Sequence, residues 1–242
     1  MKYLICNLKS NKTLNEIVVY EEKLRDIICT PKLIICPSFP YLACFKSKSY
    51  ILGAQDISEF GVGPYTGEVN GAGLHSMNVK YVIVGHSERR SYLKENETTI
   101  KNKIHESLSN GMEVIYCIGE TKEEYDRKKT YVVLERQIGR ILNDFTREDI
   151  KNIIIAYEPI WAISDGITPA PIPTEKEITE VISFIKKIMK EYYELDSDVL
   201  YGGSANDKNI EELKKIKCVD GLLIGGASLD AEKIISMIKS VN

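Results

Sequence analysis

An α/β fold, a single (β/α)8 barrel spanning residues 1–242, is predicted by three features of this chain. Short, β-rich apolar runs recur along its whole length, eight in all. Each is followed by a helical pattern. The runs are continuously apolar rather than alternating, as parallel strands covered on both faces are.

In chain order the strands are expected at Tyr3–Asn7, Leu33–Cys36, Ile51–Gln55, Tyr81–Gly85, Val114–Ile118, Ile153–Tyr157, Val199–Tyr201 and Leu222–Gly225. The first helix is expected to turn Leu14, Ile17, Val18, Leu24 and Ile28 to the core. Gly111 ends the helix that carries Ile104 and Leu108, as a C-terminal glycine does. Thr174 and Glu177 form a TxxE capping box. After that box, Ile178, Val181, Ile182, Ile185 and Met189 make a core-facing stripe. Ile234, Ile235 and Ile238 line the last helix. Eight units with no break in composition make one barrel rather than two smaller domains. An open doubly wound sheet is the rival. Its usual Gly-x-Gly-x-x-Gly after the first strand is replaced here by Asn7-Leu8-Lys9-Ser10.

With 43% hydrophobic and 28% charged residues, the chain can bury a large core unaided. The net charge is −3 and no basic block stands out, so a nucleic acid partner is not expected. No run approaches the ~18 apolar residues of a membrane span, and the N-terminus lacks the pattern of a signal peptide. The six cysteines show neither CxxC nor zinc-ligand spacing, which predicts a reduced, cytoplasmic protein. Cys117 reads as core packing. His75 and His105 read as structural or surface residues. No pair of histidines has metal-ligand spacing, so neither a metal nor another cofactor is implied.

In a barrel, chemistry gathers where strands end and βα loops begin. There the chain places Asn7 and Lys9, then Gln55 and Asp56, then Gly85-His86-Ser87-Glu88-Arg89-Arg90, then Glu158. Gly202-Gly203-Ser204 and Gly225-Gly226-Ala227-Ser228 end the last two strands. Paired glycines there let backbone N–H groups approach an anion, and loops seven and eight are a frequent phosphate site. Glu158 is a candidate general base. His86 is a candidate hydrogen-bond donor to a carbonyl, kept neutral by a helix N-terminus. Lys9 supplies fixed positive charge. Singly, each has a plainer reading: Glu158 as an ion-pair partner, His86 as a loop histidine, Lys9 as a solvated lysine, the glycines as turns. Together on one face they point to a site.

These residues resemble the triosephosphate isomerase family. The matching segments are Asn7-Leu8-Lys9, Gly53-Ala54-Gln55-Asp56, Tyr65-Thr66-Gly67-Glu68, Gly85 to Arg90, Ala156 to Ile163, Tyr201 to Ser204 and Gly225 to Leu229, in the family's order and across essentially the whole chain. The resemblance implies a TIM-barrel enzyme of glycolysis and gluconeogenesis. Its reaction would interconvert dihydroxyacetone phosphate and glyceraldehyde 3-phosphate. Glu158 would be the base, and His86 the neutral electrophile. Asn7 and Lys9 would position and stabilise the oxyanion, and Glu88 would pair with a cation. Ser204, Gly225 and Gly226 would bind phosphate through backbone donors. A homodimer is implied too, with the loop around Thr66 reaching the partner's site. The rival functions are another sugar-phosphate barrel enzyme, or a barrel kept for binding.

Pro159–Pro173 resembles the family's lid, which shields the intermediate from water and from loss of phosphate. By sequence count the lid is about four residues longer than usual, the kind of insertion that loops tolerate. Ser164 stands in the place of a glycine, with its N–H available to phosphate. Asp165 adds negative charge, and the prolines stiffen the second hinge. Leu8 and Asp56 stand where the family commonly has tryptophan and asparagine.

Overall fold

A computed structural model describes residues 1–163 and 171–242. Its sheet is a closed barrel of eight strands in sequence order, and each neighbouring pair is parallel. The strands are β1 (Tyr3–Asn7), β2 (Lys32–Cys36), β3 (Ile51–Ala54), β4 (Tyr81–Val84), β5 (Glu113–Ile118), β6 (Ile153–Tyr157), β7 (Val199–Tyr201) and β8 (Gly221–Ile224). All eight expected runs are strands, with ends displaced by a residue at most.

The helices that cover them are α1 (Leu14–Leu24), α2 (Gly71–Ser76), α3 (Ser87–Tyr92), α4 (Glu97–Ser109), α5 (Lys122–Asp126), α6 (Thr130–Leu142), α7 (Arg147–Ile150), α8 (Glu175–Tyr193), α9 (Ile210–Leu213) and α10 (Ala231–Val241). The capping box of α8 forms, with the Thr174 N–H donating to Glu177 at 2.7 Å. Gly111 has φ +71°, the left-handed turn that favours glycine after a helix. The face of α1 differs from expectation. Ile17, Tyr20, Glu21 and Leu24 are buried, while Leu14 and Val18 are 53% and 42% exposed. Ile28 lies beyond the helix end. The buried set is i, i+3, i+4, i+7 from Ile17, and Val18 is turned about 100° away from it. Along α10, Met237 joins Ile234 and Ile238 in the core, and Ile235 is only partly buried.

Strand alternation divides the apolar residues into two cores. Tyr3, Ile5, Ile34, Cys36, Ile83, Cys117, Ala156 and Leu223 belong to a small cluster inside the barrel. Leu4, Cys6, Val82, Val84, Tyr116, Ile155 and Leu222 belong to a larger one between sheet and helices. This parity carries forward to the mouth. Asn7 continues the inward series Tyr3–Ile5, and Glu158 continues Ile154–Ala156. The six cysteines are free thiols. Among the described residues, no helix is long and apolar enough to cross a membrane.

Candidate active site

Asn7, Lys9, His86 and Glu158 share a cavity of about 320 Å³ at the C-terminal mouth of the barrel. Gly202, Gly203, Ser204, Gly225 and Gly226 line the same cavity. Glu88 stands behind it. Ser164 and positions 165–170 of the expected lid lie outside the described residues.

The backbone of Lys9 is held in an unusual conformation, φ +51°. Three groups over-determine it, as such strain requires. The Lys9 N–H donates to Asn7 Oδ1 at 3.0 Å, while its carbonyl accepts from Gln55 Nε2 at 2.9 Å and Ser38 Oγ at 2.8 Å. The Lys9 ammonium reaches Glu88 Oε1 at 2.5 Å. Ser228 Oγ donates to the Asn7 carbonyl at 2.9 Å, which ties the loop after β8 to the end of β1.

His86 follows Gly85, whose φ of +74° breaks the strand's alternation. Without that turn, residue 86 would fall on the outer face of β4. His86 instead caps α3, with Nδ1 accepting from the Glu88 N–H at 3.3 Å. This leaves the ring proton on Nε2, which lies 3.1 Å from Glu158 Oε1. Glu158 Oε2 accepts from the Ser87 N–H at 3.3 Å. Both side chains are almost fully buried, His86 at 5% and Glu158 at 2% exposed.

The pair perturbs itself. Burial pushes Glu158 up, but the His86 ring beside it prevails and holds the carboxyl below its ordinary value. Burial pulls His86 down, but the Glu158 charge prevails and raises it. Glu88 adds to that rise and the Lys9 ammonium opposes it, so the direction of the shift runs against the neutral ring expected from a helix N-terminus. Cys117 packs behind Glu158; burial and then that carboxylate hold its thiol protonated.

Two glycines make room for the acid. A Cβ on Gly202 would lie 2.8 Å from Glu158 Cγ, and one on Gly119 would lie 1.8 Å from the Glu158 carbonyl oxygen. Ser204 Oγ donates to the Ala162 carbonyl at 2.9 Å and so joins the loop after β7 to the turn that follows β6. Such a set offers a desolvated carboxylate, an imidazole N–H, an ammonium and glycine-lined backbone. It can take a proton from carbon, stabilise an oxyanion and hold an anionic tail.

The structure separates Asp56 from this set, joining it to Lys103 and Arg89 away from the cavity. It also brings in residues that the strand ends alone do not reveal. Lys208 and Lys233 line the mouth of the cavity. Glu120, fully buried, accepts from Trp161 Nε1 at 2.8 Å and Tyr157 Oη at 3.1 Å. The sequence does carry a signal for Glu120: an acid two residues beyond an apolar strand. Among the described residues, no three His, Cys, Asp or Glu side chains are grouped to hold a metal ion.

A closed parallel barrel with a buried acid, an imidazole, a lysine and two glycine loops at one mouth is that of a (β/α)8-barrel enzyme handling small anionic substrates. The chain belongs to the triosephosphate isomerase family, whose model matches residues 2–241. It is similar to the triosephosphate isomerase of Endomicrobium trichonymphae, 37% identical over 96% of both chains. That of Colwellia psychrerythraea is 42% identical over 83% of this chain and 81% of its own. That of Borrelia garinii is 39% identical over 99% of this chain and 98% of its own.

Proposed function

We propose that this chain interconverts dihydroxyacetone phosphate and D-glyceraldehyde 3-phosphate through an enediol(ate), acting as one barrel domain in the cytoplasm. Membership of the family supports the reaction. One observation carries the assignment of residues: the buried Glu158 carboxylate lies 3.1 Å from His86 Nε2 in a cavity shared with Lys9 and both glycine loops.

In this reading Glu158 removes a proton from one carbon of the bound triose and returns it to the next. The family itself is the general example of such chemistry, with a glutamate base, a neutral histidine electrophile and a closing loop. The electrophile's neutrality follows here from the pair. The charges that raise His86 are the Glu158 carboxylate first and the Glu88 carboxylate after it. Once Glu158 takes a proton the larger of them is gone, and burial and the Lys9 ammonium oppose the smaller, which favours a neutral ring with its Nε2–H free to donate. Lys9 and Asn7 position and stabilise the developing oxyanion, and Glu88 holds the Lys9 ammonium in place. Backbone donors of Ser204, Gly225, Gly226 and Ser164 bind the phosphate. Pro159–Pro173, with its insertion, serves as the lid that excludes water.

A homodimer belongs to the same reading, with the loop around Thr66 reaching the partner's active site. Its support is the apolar surface that the loop exposes. Phe60, Val62 and Tyr65 are 43%, 81% and 42% exposed, and the rings of Phe60 and Tyr65 stack at 4.4 Å. Such a patch is characteristic of an interaction surface.

The test is a coupled assay with glyceraldehyde 3-phosphate, run beside Glu158→Gln. Fast turnover that collapses in the variant is expected. A folded wild-type protein that binds a phosphoglycolate-type analogue without turnover would replace this reading with a binding role.

A further inference from the structure

Strands β4 and β5 pair in register as far as Val84 with Tyr116. Strand β5 goes on to pair with β6 as far as Ile118 with Tyr157. One further rung between β4 and β5 would use the Cys117 carbonyl. The left-handed turn at Gly85, φ +74°, prevents it by carrying His86 off the line of the strand. Among the described residues, no backbone N–H beyond the end of β4 donates to that carbonyl. A buried backbone acceptor without a partner is costly.

Arg90 supplies the partner. From α3 its Nη2 donates to the Cys117 carbonyl at 3.1 Å and its Nε to the Gly85 carbonyl at 2.8 Å. The guanidinium sits 5.9 Å from the centre of the Tyr116 ring. A Cβ on Gly85 would lie 3.0 Å from Nη2, so the glycine makes room for the guanidinium as well as for the turn. Its neighbour Arg89 pairs with the carboxylates of Asp56 and Glu95. Arg90 gives its donors to two carbonyls instead.

Both carbonyls belong to residues that place the buried pair. Gly85 directly precedes His86. Cys117 lies inside the barrel, and its thiol hydrogen-bonds to Glu158. Two residues further on, Gly119 packs against the Glu158 backbone. Gln137 of α6 clasps Gly119, accepting from its N–H at 2.8 Å and donating to its carbonyl at 3.0 Å. The end of β5 is thus tied to α6, and Arg90 ties the end of β4 to β5. A planar fork of donors can hold two acceptors at a fixed spacing, whereas a lysine ammonium is a point charge on a flexible stem.

We propose that Arg90 is a positioning residue for the isomerisation: its guanidinium stands in for the missing rung between β4 and β5, and so sets the spacing of His86 Nε2 and Glu158. The inference rests on the reading of that pair as electrophile and base.

Arg90→Ala should lower kcat by about 10²-fold, the cost of misplacing a catalytic group by about 1 Å. KM for glyceraldehyde 3-phosphate should change by less than about two-fold, because the glycine loops that hold phosphate follow β7 and β8. Both are read per folded molecule. Arg90→Lys keeps the charge without the fork. Its kcat should stay lowered by about ten-fold, and it decides the matter where Arg90→Ala does not fold. A third readout needs no turnover. The proton on His86 Nε2, followed by NMR without ligand, should resonate downfield in the wild type, where that nitrogen is 3.1 Å from Glu158. It should move upfield in either variant. A wild type without turnover would remove the isomerase reading, and this resonance would still decide whether Arg90 sets the pair. The proposal is overturned by an Arg90→Lys kcat within about two-fold of wild type, by a loss confined to KM, or by a His86 resonance that does not move.

Discussion

Two clusters of buried charge lie on either side of α3. At its N-terminal end, Glu158 and His86 face a cavity and touch at 3.1 Å, and Glu158 also accepts from the Ser87 N–H at 3.3 Å. Around its C-terminal half, Asp56, Lys103, Arg89 and Glu95 close on one another. Lys103 Nζ donates to both Asp56 oxygens at 2.7 and 2.8 Å, and also meets Glu95. Arg89 reaches Asp56 at 2.8 Å and Glu95 at 2.6 Å. Two acids and two bases balance there, which gives a role to the carboxylate of Asp56 where the family commonly has asparagine. The residue types are much the same in both clusters. Short, mutual pairing uses up the charges of one and makes it a brace. Longer contacts onto a cavity leave the other able to exchange a partner for a substrate.

Substitutions should therefore separate activity from stability. The largest effect is expected from Glu158→Gln. Removing the base should lower kcat by about 10⁴-fold, while the thermal midpoint falls only by what the pairing with His86 contributes; calorimetry beside the coupled assay checks both. Equal losses of stability and turnover would make Glu158 a brace as well.

Lys103→Met should show the reverse. It leaves Asp56 and Glu95 buried with one cation between them, a loss of about 3–5 kcal/mol for a broken buried pair. Urea unfolding measures it, and kcat per folded molecule should remain within a few-fold. A large fall in kcat at unchanged stability would erase the distinction between the clusters.

His86→Ala comes next. Loss of a donor to the developing oxyanion should lower kcat by about 10²–10³-fold, read under saturating substrate with folding checked by circular dichroism.

The smallest effect is a titration. Glu158 is depressed by His86 against burial, so its carboxyl carbon, followed by NMR, should titrate below the ordinary glutamate value of about 4.3. In His86→Ala burial is opposed only by the Ser87 N–H and Cys117 hydrogen bonds, and the titration should move upward. The signs for stability follow from both shifts. A depressed Glu158 stabilises above its unfolded value and loses that contribution as pH falls through its folded one. A raised His86 stabilises below its unfolded value and loses that contribution as pH rises through its folded one. The stability gap between wild type and His86→Ala should be widest between about pH 4.3 and 6.5 and narrow on both sides. A gap that widens steadily with pH would contradict the pairing.

Much of this architecture is legible in the residues. Eight apolar runs, each followed by a helical stripe, are enough for the barrel, because burial on both faces demands that composition of every parallel strand. Motif order is enough to gather Asn7, Lys9, His86 and Glu158 at one mouth, because successive parallel strands all end on the same side. The first helix departs from its expected face because Leu14, Val18 and Ile28 are apolar without being buried, and exposed apolar residues are common on folded surfaces.

Glu158 and Glu120 mark the boundary between what sequence determines and what only tertiary structure decides. Both follow an apolar strand, and strand parity alone sets Glu158 inward with Ala156 and Glu120 outward with Ile118. Their partners come from elsewhere in the chain: His86 for the first, Tyr157 and Trp161 for the second. Sequence determined the fold, the end of the barrel that carries the chemistry and the types of residue placed there, because periodicity and alternation are local. Tertiary structure decided the left-handed turn at Lys9, the proton-bearing nitrogen of His86, the direction of each pKa shift and the closing of Asp56 into a brace. Those depend on distances between residues far apart in the chain, and they exist only once the barrel has closed.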